Sequence, residues 1–167
     1  MKRIYLKTLF VTMIIIASCQ SNTKTIPFDP AAIKAEVASV LDKWHATYQG
    51  KDLTVLMSLF SDDLLFCGPA PNEFWDKPTL YPLFERPFAD TSFVISYSII
   101  ERNIKVAKDG TSALSTEHYF LDKASKKIPL RQVCHLVKSE GNWLIDYVSV
   151  AYIPNREDMG KINLALE

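Results

Sequence analysis

The chain is poor in glycine and cysteine, with five and three residues respectively among 167. Neither G-x-G-x-x-G nor a Walker sequence occurs, which excludes the common glycine-rich phosphate cradles. No C-x-x-C pair and no His/Cys cluster at zinc spacing is present, so neither a structural metal nor a cofactor is expected. An excess of one charge is also lacking. The chain holds 19 Lys and Arg against 19 Asp and Glu, and its basic residues form nothing denser than the pair Lys126-Lys127. That balance excludes nucleic acid as an electrostatic partner. The N-terminal apolar run, Leu9 to Ile16, is shorter than the about 20 residues that a membrane-spanning helix needs.

What is present begins at the N-terminus. Lys2, Arg3 and Lys7 precede the apolar run, and Ala17-Ser18-Cys19 follows it, the layout of a secretory signal peptide. Ile16-Ala17-Ser18-Cys19 resembles the bacterial lipobox, in which the cysteine is acylated and becomes the new N-terminus. Cleavage there removes residues 1–18 and leaves 149 residues with 16 basic and 19 acidic side chains, a net charge of −3. The expected location is the cell envelope, with a lipid anchor at Cys19 as the contact with the membrane. Gln20, standing where Asp is linked to inner-membrane retention in some bacteria, favours the outer membrane, facing the periplasm or the surface.

Residues 19–28 read as a lipidated tether, 29–153 as one domain, and 154–167 as a polar tail without assigned structure. Asp29-Pro30 opens a helix whose stripe is Ile33, Val37, Val40, Leu41, Trp44 and Tyr48, and Gly50 closes it. Asp52 caps a shorter helix with Leu53, Leu56, Met57 and Phe60 on its buried face. Leu64 to Cys67 is a short strand. Asp76 caps a third helix over about 77–86, with Pro82 set to kink or end it. From Thr91 the period becomes 2, giving strands near 92–107, 111–122, 128–138 and 143–153. The order α-α-β-α-β-β-β-β is that of an α+β domain, helices packed on a curved antiparallel sheet.

This order, with its motifs, resembles the nuclear transport factor 2-like superfamily, and within it the SnoaL-like group. Three stretches carry the resemblance: Trp44 and Tyr48 through Phe60-Ser61-Asp62-Asp63; Gly68 with Glu73-Phe74-Trp75-Asp76-Lys77; and Arg131-x-Val133-x-His135-Leu136-x-Lys138-x-Glu140-Gly141-x-Trp143-x-Ile145. The resemblance implies a cone-shaped α+β fold with a pocket between sheet and helices. It also implies frequent dimers through the sheet, making a homodimer an expected partner state. Members include isomerases, dehydratases and cyclases as well as non-catalytic binding or assembly domains. Many SnoaL-like proteins carry two histidines in the last strand. Here Tyr147 and Ser149 stand at those positions.

Period 2 places Arg131, Val133, His135 and Val137 on one face of their strand. If Asp122 pairs with Ile128, Tyr119 lies opposite Arg131 and Glu117 opposite Val133. One face would then hold Glu117, Tyr119, Arg131 and His135. Arg131 would serve either as a pocket cation or as the internal partner of Glu117. A two-residue turn at Glu140-Gly141 sets His135 opposite Asp146, making a base with its orienting carboxylate. A three-residue turn sets it opposite Tyr147 and turns Asp146 away. His45 is read as a surface residue. Cys67 and Cys134 are free to pair after export or to pack as small apolar residues.

The expected pocket is lined by Trp44, Tyr48, Trp75, Glu117, Tyr119 and Tyr147, and suits a small apolar or aromatic molecule. The favoured expectation is therefore a lipid-anchored, non-catalytic domain that binds such a ligand or serves in assembly. The alternative is a small-molecule isomerase, dehydratase or hydrolase using Arg131 and His135. Metabolic labelling with a fatty acid is expected to mark the wild-type chain and to leave Cys19→Ala unmarked. Equal labelling of the two would contradict the lipobox reading.

Overall fold

The computed structural model describes residues 29–122 and 124–166. The signal segment, Cys19 and the tether through residue 28 lie outside the described residues. Helix α1 runs Pro30–Gly50. The Asp29 carboxylate accepts from the amides of Ala31 (2.9 Å) and Ala32 (3.3 Å), and Pro30 follows where no donor is needed. Val37, Leu41 and Trp44 form its buried stripe. The helix ends one residue later than the glycine rule predicts. Lys51, not Gly50, takes the left-handed conformation (φ 58°) and returns its amide to Thr47 and Tyr48.

Helix α2 (Leu53–Ser58) is capped by Asp52, which accepts from the Val55 amide at 3.0 Å. Strand β1 (Phe60–Cys67) follows at once, longer than the expected Leu64–Cys67 and taking in Phe60 from the predicted helix face. A two-residue strand β2 (Phe74–Trp75) precedes α3 (Lys77–Ala89), which Asp76 caps through the Thr79 amide at 2.9 Å. Pro82 does not end α3, and Pro87 lies inside it as well. Each deletes one backbone donor, but buried Leu80 and the half-buried Phe84 and Phe88 pack on the core and hold the helix to Ala89.

Strands β3 (Tyr97–Val106), β4 (Ser112–Leu121), β5 (Ser125–Ser139) and β6 (Asn142–Tyr152) form the meander. β3 starts five residues later than expected, because residues 91–96 form no strand. The sheet order is β2-β1-β6-β5-β4-β3. The β1–β6 pair is parallel, which makes the sheet mixed rather than purely antiparallel. β2 and β3 are its two edges. The tail holds a short helix α4 (Met159–Ala165) where none was predicted. Among the described residues no helix is long and apolar enough to cross a membrane.

The core lies between α1, α2, α3 and one face of this sheet. Leu41, Leu56, Phe60, Leu136, Ile145 and Val148 are among its fully buried members, each contributing roughly 1.5–3 kcal/mol of transfer free energy. Cys134 is buried among them and Cys67 is half-buried. Both are free thiols, so the disulfide alternative is not realised. On the opposite face His118, Val133, His135 and Tyr147 are half-buried. Glu36 on α1 ties the β5–β6 hairpin down, accepting from Trp143 Nε1 (2.8 Å) and Lys138 Nζ (2.7 Å).

The loop after β1 turns on Gly68. Its amide donates to the Glu73 carbonyl at 2.8 Å, and the Glu73 carboxylate accepts from Ala70. A Cβ on Gly68 would stand 2.8 Å from Glu73 Cβ and 2.9 Å from the Trp75 ring. Gly68→Ala is therefore expected to cost about 1–3 kcal/mol in urea unfolding, the range of overpacked sites. An unchanged midpoint would show that the loop has room to yield.

Candidate functional site

The site grows from a single carboxylate. On β4 the residues Ala113, Ser115, Glu117 and Tyr119 face the helices, and all four are buried. Glu117 has no exposed surface. A buried carboxylate is costly unless donors surround it, and three neighbours supply them. Arg102, directly across the strand pair on β3, donates through Nε to Oε1. His45, from α1, lies with Nε2 2.8 Å from Oε2. Gln132, opposite on β5, donates from Nε2 at 3.4 Å. Arg102 also donates through Nη1 to Asp42 Oδ1 at 2.7 Å, so two carboxylates share one guanidinium.

Burial alone would push the Glu117 carboxyl up. The His45 hydrogen bond and the nearby Arg102 charge outweigh it, and the group stays ionised below the ordinary carboxylate value. Burial works against the Arg102 cation, yet Asp42 and Glu117 raise its pKa overall. The phenols of Tyr48 and Tyr119 are pushed up by burial and stay neutral. Since an ionised carboxylate only accepts, the facing His45 nitrogen must carry the hydrogen.

Beside this cluster is a cavity of about 160 Å³. Trp44, His45 and Tyr48 of α1 form one wall, and Phe66, Pro69 and Phe84 another. The sheet closes it with Tyr119, Leu121, Leu130, Gln132, Val150 and Tyr152. The aromatic walls interlock: Tyr48 meets Phe84 edge-on at 5.6 Å and Phe88 at 5.5 Å between ring centroids. Its polar corner is where His45 and Gln132 adjoin Glu117, and the hydroxyls of Tyr48, Tyr119 and Tyr152 are further polar groups of the lining residues.

The structure brings Trp44, Tyr48 and Tyr119 to this cavity, with Glu117 behind it. Trp75 instead packs on Phe66, 5.9 Å between centroids, and Tyr147 lies on the far side of the sheet with His135. The single face expected to hold Glu117, Tyr119, Arg131 and His135 does not exist. A register shift after Tyr119 pairs Leu121 with Ser125, Glu117 with Gln132 and Ser115 with Cys134. One residue of slip sends alternate side chains to opposite faces. Arg131 therefore stands beside His118, donating to its Nε2 at 3.0 Å, on the outer face. The guanidinium that meets Glu117 is that of Arg102.

The last hairpin combines parts of both expected registers. Its turn has two residues, Glu140 and Gly141, both at positive φ (50° and 84°). A bulge at Asp146 then shifts the ladder so that His135 faces Tyr147. Asp146 is not turned away. Its Oδ1 lies 2.7 Å from His135 Nδ1 on the outer face. His45, read from the sequence as a surface residue, has a side chain only 12% exposed and is central to the site. Its position four residues after Leu41 and three before Tyr48 is the signal that places it on the buried flank.

A model of the SnoaL-like domain matches residues 37–153, which contain the whole cavity wall. The chain belongs to the SnoaL-like domain family. Solved structures agree in fold. A nuclear transport factor 2-like protein from Pseudomonas putida superposes with a TM-score of 0.63 at 12% identity, covering 76% of this chain and 91% of that one. One from Cytophaga hutchinsonii gives 0.59 at 17%, covering 75% and 100%. A cystatin-like fold protein from Burkholderia xenovorans gives 0.63 at 15%, covering 75% and 95%. At these identities the likeness shows the fold alone. No curated protein matches the sequence.

Arg102→Met would leave the Glu117 charge buried without its guanidinium. The expected loss at neutral pH is about 3–5 kcal/mol. The sign with pH follows from the depressed carboxyl. Wild-type stability from this cluster is full above the ordinary value of 4.5 and is lost as pH falls through the lower folded value. Acid should therefore narrow the gap between wild type and variant in urea unfolding. A gap below about 1 kcal/mol, or one that widens in acid, would contradict the assignment.

Proposed function

We propose that this SnoaL-like domain is an exported, lipid-anchored module that binds a small apolar or aromatic molecule without transforming it. The cavity carries the reading: about 160 Å³ of space, walled by aromatic and aliphatic side chains, with one polar corner. The polar corner also holds the His45–Glu117 pair, and the binding reading predicts that no turnover depends on it. The lipid on Cys19 and the tether of residues 20–28 would hold the module at the outer membrane. A homodimer through the half-exposed sheet face is compatible with this reading.

A second reading, a small-molecule isomerase, dehydratase or hydrolase, draws support from the 2.7 Å contact of His135 with Asp146. Its weakness is placement. His135 and Arg131 lie on the outer sheet face, away from the cavity. Turnover of a small molecule that disappears in His135→Ala would favour it over simple binding.

Binding predicts that saturating toluene raises the melting temperature of the full chain. At a hundred times Kd the linkage is worth about 2.7 kcal/mol. Val150→Trp, which fills the cavity from β6, should abolish that response while the variant still folds. A wild-type melting temperature indifferent to toluene would contradict the binding reading.

A further inference from the structure

The cavity restricts its ligand more narrowly than apolar character does, an inference that rests on the binding reading above. Size is the first restriction. About 160 Å³ is close to an engineered apolar cavity of about 150 Å³ that takes benzene. One six-membered ring with a small substituent fills such a space, and two fused rings exceed it, so that the second ring would be left in the open mouth and gain little from burial.

Charge is the second. No Lys or Arg lines the cavity among the described residues. The ionised Glu117 stands behind its polar corner; Arg102 does not line the cavity and binds Glu117 through Nε and Asp42 through Nη1, and the near nitrogen of His45 faces Glu117. An anionic ligand would be desolvated next to a carboxylate with no cation to receive it, which is strongly unfavourable.

Hydrogen-bond direction is the third. Gln132 is 4% exposed and lines the cavity. Its amide nitrogen donates to Glu117, because a carboxylate can only accept. The same amide also donates to the buried Cys134 thiol, so both of its hydrogens have protein partners and the group Gln132 offers a ligand is its carbonyl oxygen, an acceptor. A ligand that satisfies it must bring an O–H or N–H.

We propose that the site selects a neutral, single-ring aromatic molecule carrying one hydrogen-bond donor, the chemical class of phenols and anilines, and rejects ring carboxylates. Gln132 is the residue that reads the donor.

The test uses four probes on the full chain: toluene, phenol, benzoate and 2-naphthol, by calorimetry and thermal shift. Toluene and phenol are expected to bind, and benzoate and 2-naphthol to compete with neither. In Gln132→Met the ratio of phenol to toluene affinity should fall about fivefold, one net hydrogen bond. Toluene binding serves there as the internal control for an intact cavity. Should that variant fail to fold, the wild-type ranking of the four probes still decides the matter. Benzoate binding as tightly as phenol, 2-naphthol displacing toluene more strongly than phenol does, or an unchanged ratio in an intact Gln132→Met would each overturn the proposal and leave the binding reading standing. Binding of none of the four would overturn both.

Discussion

The fully buried carboxylate of Glu117 is the constraint around which the inner face of this domain is arranged. A charge without solvent access needs donors at fixed positions, and each donor here comes from a different element. Strand β3 supplies Arg102, β5 supplies Gln132 and α1 supplies His45. The cluster thus joins the first helix to three strands of the sheet. Against well-packed apolar residues of equal volume, such a buried cluster is weak evidence for added stability. Its structural consequence is positional. It sets which side of α1 meets the sheet, and so puts Trp44 and Tyr48 over the cavity.

The same register gives the sheet two chemically different faces. Inside, one ionised carboxylate borders an aromatic cavity. Outside, His135 with Asp146 and Arg131 with His118 form polar pairs on a half-exposed surface. His118 and Arg131 are the sequence neighbours of Glu117 and Gln132, and His135 lies three residues past Gln132, an odd offset that puts it on the other face. A titratable cluster facing solvent has water as its alternative partner. The inner cluster has none, and a ligand entering beside it must fit the hydrogen-bond directions already fixed there.

Much of the fold was legible because its signals are local. Asp29, Asp52 and Asp76 each accept from the first turn of the helix they precede, as their positions predict. The change to period 2 after Thr91 marked four strands whose order the sheet retains. What was not legible depends on counts of one residue. The shift between Tyr119 and Leu121 moved Arg131 and His135 off the face of Glu117. The bulge at Asp146 let a two-residue turn coexist with the His135–Tyr147 pair. Bulges leave no strong mark in composition, whereas capping residues do. Arg102 was missed for the same reason: its partner follows from the β3–β4 register, itself shifted between Ile99 and Glu101. His45 had a helical-spacing signal, but its polarity suggested solvent.

The three histidines of the chain sample both faces, one beside the cavity and two outside it. Ring nitrogen and proton resonances followed by NMR during a toluene titration therefore test most directly which face is functional. The account predicts that the His45 ring signals shift to saturation while those of His118 and His135 stay in place. Movement of the His135 signals with His45 unchanged would contradict it and locate the ligand site on the outer face of the sheet.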